Sequence, residues 1–382
     1  MKTHCEAREK KVCHAATSRV ARGAPIPTRF AILASLVALA SVSLGGCTVL
    51  PVSRAPAAES YATRPSPHGA APFPNWPVPP HEAERLILHA RHMLVQETGA
   101  GAGTTGAEKV VVSFPDDRLE VGVKWKLMDP SWKLYSDRLD GINNSPRKEL
   151  AAWTIQRLFL EPEDYVAPFT TAYCAPMAEL LTEERRKKGP TLEGSQCQLG
   201  VVAVWMKDIT LELPVLDPER FNRDYVYAYF LSNLNLFTHL VKHHDGRDGN
   251  FLVSKDPARR QAFSIDNGVS FGAGFSGLFY NWFVANWNSI RVPALRAESI
   301  DRLRTLKPAD VTATLGVVSQ LERGDQGVYR NVPPGDNLDP SHGVRIEGKT
   351  LQFGLTDDEI EDVWERIQDL IEDVDDGDLP VF

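Results

Sequence analysis

Hydrophobic and polar positions change period several times along the chain, and each change marks a different element. Phe30 to Leu44 is an uncharged run of apolar and small residues, too short and too weakly flanked for a permanent membrane span. From His81 to Val95, apolar residues at Leu86, Ile87, Ala90, Met93 and Leu94 follow a helical repeat. The glycine-rich run 99–106 that comes next cannot continue a helix. Val110 to Phe114 predicts a strand, Pro115 to Arg118 a turn, and Leu119 to Leu127 an antiparallel partner strand. Ser145-Pro146 supplies an N-cap and a first-turn proline for a helix reaching Phe159, with Ala152, Ile155, Leu158 and Phe159 as its apolar stripe. Leu199 to Lys207 is an unbroken apolar run and reads as a buried strand, and a helix rich in Tyr, Leu and Phe is expected from about Asn222 to Lys242. Thr356-Asp-Asp-Glu359 is a capping box opening a helix with Ile360, Val363, Trp364, Ile367, Leu370 and Ile371 on one face. The C-terminal part as a whole reads as helical.

This patterning divides the 382 residues. Residues 1–46 form an export signal, 47–80 a Pro-rich, semi-rigid tether, 81–210 a smaller strand-rich lobe and 211–382 a larger helical lobe. Charge adds an exclusion. Residues 1–46 hold seven Lys and Arg against two acids, which leaves 35 basic and 48 acidic residues in the remainder. A surface that acidic repels phosphate backbones, so nucleic acid is not an expected partner.

The run ending in Leu44-Gly45-Gly46-Cys47 resembles the lipobox of bacterial lipoproteins. The resemblance implies that Cys47 is acylated and becomes the first residue of the mature protein, anchored to a membrane of the cell envelope by two or more acyl chains. Thr48 rather than Asp after that cysteine favours the outer membrane in a Gram-negative organism. Cys5 and Cys13 leave with the signal, so Cys174 and Cys197 remain in an oxidising compartment as a candidate disulfide. It would close a loop around the charged run Glu183 to Lys188. The spacing alone leaves two separate small core residues as the other reading.

The richest chemistry lies in two polar loops. His243-His244-Asp245-Gly246-Arg247-Asp248-Gly249-Asn250 leads into a short strand, and a second strand ends in Asp266-Asn267-Gly268. Phosphoryl transfer needs a carboxylate to orient or deprotonate a hydroxyl acceptor, with an Asn and a second Asp to hold divalent ions against the phosphates. Upstream, the Gly99–Gly106 run opens the expected hairpin, and backbone N–H groups without Cβ obstruction approach phosphate oxygens closely, although the run by itself also reads as a solvent linker.

These motifs, in this order, resemble the atypical branch of the protein-kinase-like fold, in particular the type II phosphatidylinositol 4-kinases and the secretory-pathway kinases of the family with sequence similarity twenty. The similarity covers about residues 99–290. It implies an α+β, two-lobed fold with a small β-rich N-lobe and a larger helical C-lobe. Gly103, Thr104, Thr105 and Gly106 would then cover the nucleotide, with Val204 and Met206 lining its site. Lys124 would hold the α- and β-phosphates of ATP, and Glu149 would pair with Lys124. Asp245 falls on the catalytic Asp, and Asn250 and Asp266 on the ligands of Mg²⁺ or Mn²⁺. Two departures stand out: Lys126 lies on the same strand face as Lys124 and competes for its role, and Gly246 follows Asp245 where an Arg is common. The expectation is a lipid-anchored kinase acting on a hydroxyl of a protein, lipid or sugar. The alternative is a pseudokinase, a nucleotide-binding or scaffolding lipoprotein.

Overall fold

Three antiparallel sheets and eight helices among the described residues make an α+β architecture. The computed structural model describes residues 60–69, 72–90, 92–98, 107–128, 145–211, 214–271 and 287–382. Cys47, the apolar run 30–44 and the loop residues Gly103, Thr104, Thr105 and Gly106 lie outside them.

Helix α1 (Pro80–His89) leads into a five-stranded sheet of order β1-β2-β3-β5-β4, made by β1 (Met93–Thr98), β2 (Glu108–Phe114), β3 (Leu119–Leu127), β4 (Thr170–Pro176) and β5 (Cys197–Val204). Strands β2 and β3 form the expected hairpin. Val121, Val123 and Trp125 of β3 are buried and, by the period-2 alternation of a strand, share one face, which leaves Lys124 and Lys126 on the other. Helix α2 (Pro146–Ile155) covers that second face, with Leu150 packed among Leu199, Val201 and Met128. Cys174 and Cys197 are disulfide-bonded between β4 and β5, with their Cα atoms 5.4 Å apart. The charged turn α3 (Glu183–Lys187) lies in the loop they close.

The chain then crosses β6 (Ile209–Thr210), α4 (Pro218–Phe221) and α5 (Tyr225–Leu240) to a hairpin of β7 (Phe251–Ser254) and β8 (Ala262–Ser264), which extends the short β6 into a three-stranded sheet. Helix α5 is buried nearly all round, and its polar residues have assigned partners. Ser232 accepts from the Arg296 N–H, and Asn235 Oδ1 accepts from the N–H groups of Arg291 and Val292. A central helix thus satisfies the main chain that wraps it. Helices α6 (Ala297–Thr305) and α7 (Pro308–Leu315) follow, and α8 (Asp357–Asp375) opens with the expected capping box, closed by Thr356 and Glu359.

Three expectations need correction. The helix foreseen from 81 to 95 stops at His89, because Ala90 turns to extended backbone and Met93–Thr98 pairs with β2 instead. The described residues of the tether foreseen for 47–80, namely 60–69 and 72–80, are packed on the domain: Tyr61 and Trp76 are buried in the main core, and Asn75 is buried with them. Proline content there hides two large aromatics whose burial outweighs the low apolar fraction. Finally, residues 319–353 are not helical. They form a four-stranded sheet of order β10-β9-β12-β11, from β9 (Ser319–Arg323), β10 (Tyr329–Val332), β11 (Val344–Glu347) and β12 (Thr350–Phe353). Leu321, Tyr329, Leu351 and Phe353 of this sheet join the core beneath α2 and the Cys174–Cys197 bridge. The expected boundary at 210 therefore does not separate strands from helices.

Among the described residues no helix is long and apolar enough to cross a membrane.

Candidate active site

Lys124 and Lys126, two positions apart on β3, project from the face that α2 covers, and each meets a different carboxylate. Lys126 Nζ donates to Glu149 Oε1 at 2.7 Å, with side chains 3% and 6% exposed. Lys124 Nζ donates to Asp266 Oδ1, and this pair is more open, 20% and 38% exposed. The expected Lys124–Glu149 pair is thus corrected: Glu149 bonds Lys126, whose side chain reaches the buried first turn of α2, while Lys124 reaches the loop after β8.

The four charges form one electrostatic unit. Burial pushes the Glu149 carboxyl upward, but Lys126 and, less strongly, Lys124 outweigh it and hold the acid below its ordinary range. Burial likewise opposes ionisation of Asp266, and Lys124, by charge and hydrogen bond, brings its pKa below the usual value. Lys124 itself is pulled down by burial and raised further by Glu149 and Asp266, so it remains a firm cation.

Asp266 occupies the left-handed region, φ 56°, two residues beyond β8. Non-glycine residues persist there only when their surroundings hold them. Next to it, the Ser264 hydroxyl donates to Asn267 Oδ1 at 2.8 Å, and the Ser145 N–H donates to the Gly268 carbonyl, tying this loop to the start of α2. Lys148 of α2 also donates to the Phe271 carbonyl at 2.9 Å.

The β7–β8 register brings the second polar loop alongside. The Ile265 N–H donates to the Asn250 carbonyl, so Asn250 and Asp266 sit at the same end of the hairpin. Asn250 Nδ2 donates to the Asp245 carboxylate and main-chain carbonyl at 2.9 and 2.8 Å. That orientation leaves Asn250 Oδ1 as the oxygen available to a cation. Arg247 Nε lies 3.3 Å from the other Asp245 oxygen. A Cβ at Gly246 would come within 2.9 Å of the His243 carbonyl and 3.0 Å of Trp287 Cβ, which explains why a side chain larger than hydrogen does not follow Asp245. The His243 ring is fully buried, and burial pushes its pKa down to about 4. It is a neutral packing group against Phe251.

Lys124, Glu149 and Asp266 line a cleft together with Thr170, Ala203, Val204, Met206, Leu252 and Asn267. Its lining divides into charged groups and an apolar wall, the combination wanted by a ligand with a flat apolar part and an anionic part. Met206 follows the end of β5, and among the described residues its main-chain N–H and C=O have no hydrogen-bond partner. The preceding and following residues do: Trp205 N–H donates to Gly122, and Lys207 N–H to Asn75. Asn75 returns two side-chain hydrogen bonds to the carbonyls of Lys207 and Asp208.

Expected residues Lys124, Glu149, Val204, Met206 and Asp266 thus share one cleft, with Asp245 and Asn250 joined to each other beside it. Asp245 and Asn250 are not in its immediate wall. Sequence reasoning missed Thr170, which β4 brings in from the far edge of the sheet, and Asn75, which braces the segment after β5. No motif marks either. Among the described residues no group of three or more His, Cys, Asp or Glu side chains forms a ready-made metal cage. The oxygen pair Asn250 and Asp266 fits instead a hard divalent ion that takes its remaining ligands from water and phosphate.

No protein-family model matches the chain, and no curated protein sequence gives a significant match.

Proposed function

We propose that the chain is an ATP-dependent kinase of the two-lobed protein-kinase-like kind, anchored to the bacterial cell envelope through Cys47 and transferring the γ-phosphoryl group to a hydroxyl acceptor. The observation that carries this reading is the meeting of Lys124, Glu149 and Asp266 with the main chain at Val204–Met206 around a single cleft. The free Met206 N–H and C=O suit a purine edge, Ala203, Val204 and Leu252 its flat faces, and Lys124 the phosphates.

Catalysis would rest on positioning and charge. Asp245, its carboxylate fixed by Asn250, orients the acceptor hydroxyl and takes its proton as the new oxygen–phosphorus bond forms and the bond to the β-phosphate oxygen breaks, releasing ADP. Asn250 and Asp266 would hold Mg²⁺ or Mn²⁺, which when bound supplies neutralising charge to the phosphates. Lys126, paired with Glu149, keeps α2 against the sheet. The experiment is γ-phosphate loss from ATP with Mg²⁺ or Mn²⁺, comparing the native chain with Asp266→Ala. Turnover lost by at least about 1,000-fold in a variant that still unfolds cooperatively supports the reading; equal rates reject it.

A further inference from the structure

In a site of this kind one lysine is expected to do two jobs, bridging to the carboxylate of a neighbouring helix and holding the nucleotide phosphates. Here two lysines stand on one strand face, and the two carboxylates near them differ sharply in exposure. We propose that the jobs are divided: Lys126 is a positioning residue bonded permanently to Glu149, and Lys124 alone contacts phosphate, leaving Asp266 when nucleotide and metal enter. This assignment rests on the kinase reading of the cleft.

Three observations carry it. First, Lys124 lines the cleft together with Glu149 and Asp266, whereas Lys126, 3% exposed, is not part of its wall. A phosphate in the cleft therefore meets Lys124. Second, the costs of releasing the two lysines are unequal. Moving Lys126 to a phosphate would strand the Glu149 carboxylate, 6% exposed, without its strongest cation, and removing one partner of a buried pair is strongly destabilising. Moving Lys124 leaves Asp266, 38% exposed, in contact with water and free to take a divalent ion, so this partly solvated pair costs less to open than the buried Lys126–Glu149 pair. Third, α2 has its own reasons to stay. Arg147 and Lys148, next to Glu149, are ion-paired to the buried Glu359 of the α8 capping box, and Lys148 also holds the Phe271 carbonyl. Glu149 is thus fixed from both sides, and Lys126 is the one cation bonded to it from β3. Lys124 is paired with the carboxylate that a metal would need, so nucleotide and metal should bind cooperatively, each supplying the partner that the other's arrival removes.

The test uses the full chain in detergent, with ATP, a non-hydrolysable ATP analogue and Mn²⁺ as the probes, and measures binding, melting temperature and steady-state kinetics. Lys124→Met should weaken analogue binding by at least about 10-fold with a melting temperature within about 2 °C of the native chain. It should also tighten binding of Mn²⁺ alone, because Asp266 is vacated. Lys126→Met should lower the melting temperature and cut kcat by at least about 10-fold while KM for ATP moves less than about 3-fold, and Lys126→Arg should restore most of kcat. Should Lys126→Met fail to fold, the pair Lys126→Met with Glu149→Gln, which leaves no buried unpaired charge, carries the same binding measurement. Loss of analogue binding in Lys126→Met equal to that in Lys124→Met, or unchanged binding in Lys124→Met, overturns the division of labour while leaving the kinase reading intact. A native chain that binds neither ATP nor the analogue overturns both.

Discussion

Two buried clusters of charge in this molecule look alike on paper and differ in one respect. At the cleft, Lys124, Glu149 and Asp266, with Lys126 buried behind the wall, neutralise one another beside open space. Against Tyr229 and Asn233 of α5, Asp164, 3% exposed, accepts from His68 Nε2 at 2.7 Å, the Tyr229 hydroxyl at 2.9 Å and Arg296 Nη1 at 2.7 Å, and Arg296 also reaches Asn233. Burial works against the Asp164 anion, and the His68 hydrogen bond and Arg296 overcome it, so its pKa is lowered just as those of Glu149 and Asp266 are. A shifted pKa therefore does not by itself mark a site. The second cluster is closed, each Asp164 oxygen is already spoken for, and its residues fasten the segment after Ser60 to the core. The first keeps an exposed carboxylate and a cleft.

That contrast sets what each cluster should do when cut. Asp266→Ala should abolish phosphoryl transfer, by at least about 1,000-fold in kcat, yet barely change the melting temperature, since its ion pair is partly solvated. Asp164→Ala should do the reverse. It leaves the buried Arg296 with the exposed Glu298 carboxylate but without its buried one, at a cost of about 3–5 kcal/mol in chemical denaturation, with kcat of the folded fraction unchanged. If Asp164→Ala instead spared stability and abolished turnover, the two clusters would have been assigned the wrong way round.

The disulfide comes next in size. Reduction, or Cys174→Ser, should cost about 3 kcal/mol, because the 23-residue separation sets the entropy that the bridge removes from the unfolded chain. Denaturant titrations with and without reductant measure it.

Acid should act in two windows. His243 is buried and His239 half-buried, and desolvation pushes both folded pKa values down to about 4, against an ordinary 6.5. The unfolded chain then binds more protons between those values, so stability is full above about pH 6.5 and falls as pH drops towards 4, by on the order of 1–3 kcal/mol for each histidine. Glu149, Asp164 and Asp266 have lowered pKa values, so their contribution persists above about pH 4 and is lost only below it. Unfolding free energy across pH 3–8 checks both, and a flat curve between 6.5 and 4 would contradict the histidine assignment. Smallest is the brace at Met206: Asn75→Ala removes two hydrogen bonds to Lys207 and Asp208 and should cost about 1–3 kcal/mol and weaken nucleotide binding several-fold.

The same contrast explains how much was legible in the sequence. The β2–β3 hairpin, α5, the α8 capping box and the cysteine pair all follow from local pattern, turn chemistry or cysteine arithmetic. Lys124 and Asp266, which line the cleft, and Asp245 and Asn250, which bond each other, also fall in short sequence motifs. What failed was pairing across distance. Glu149 was matched to Lys124, and choosing between lysines two residues apart requires knowing how far α2 sits along β3. Composition averages over Tyr61 and Trp76 and so predicts a tether over 47–80, whereas tertiary packing puts both in the core. The four-stranded sheet at 319–353 was missed because its strands are only four or five residues long, too short for period to distinguish them from loops.

The central claim is that the Lys124–Asp266 cleft is a nucleotide site, and thermal stabilisation of the full chain by ATP tests it most directly, with Mg²⁺, with Mn²⁺ and without metal. The account expects a rise in melting temperature that needs both ATP and a divalent ion and disappears in Asp266→Ala. No shift in the native chain, or an equal shift in the variant, would contradict it.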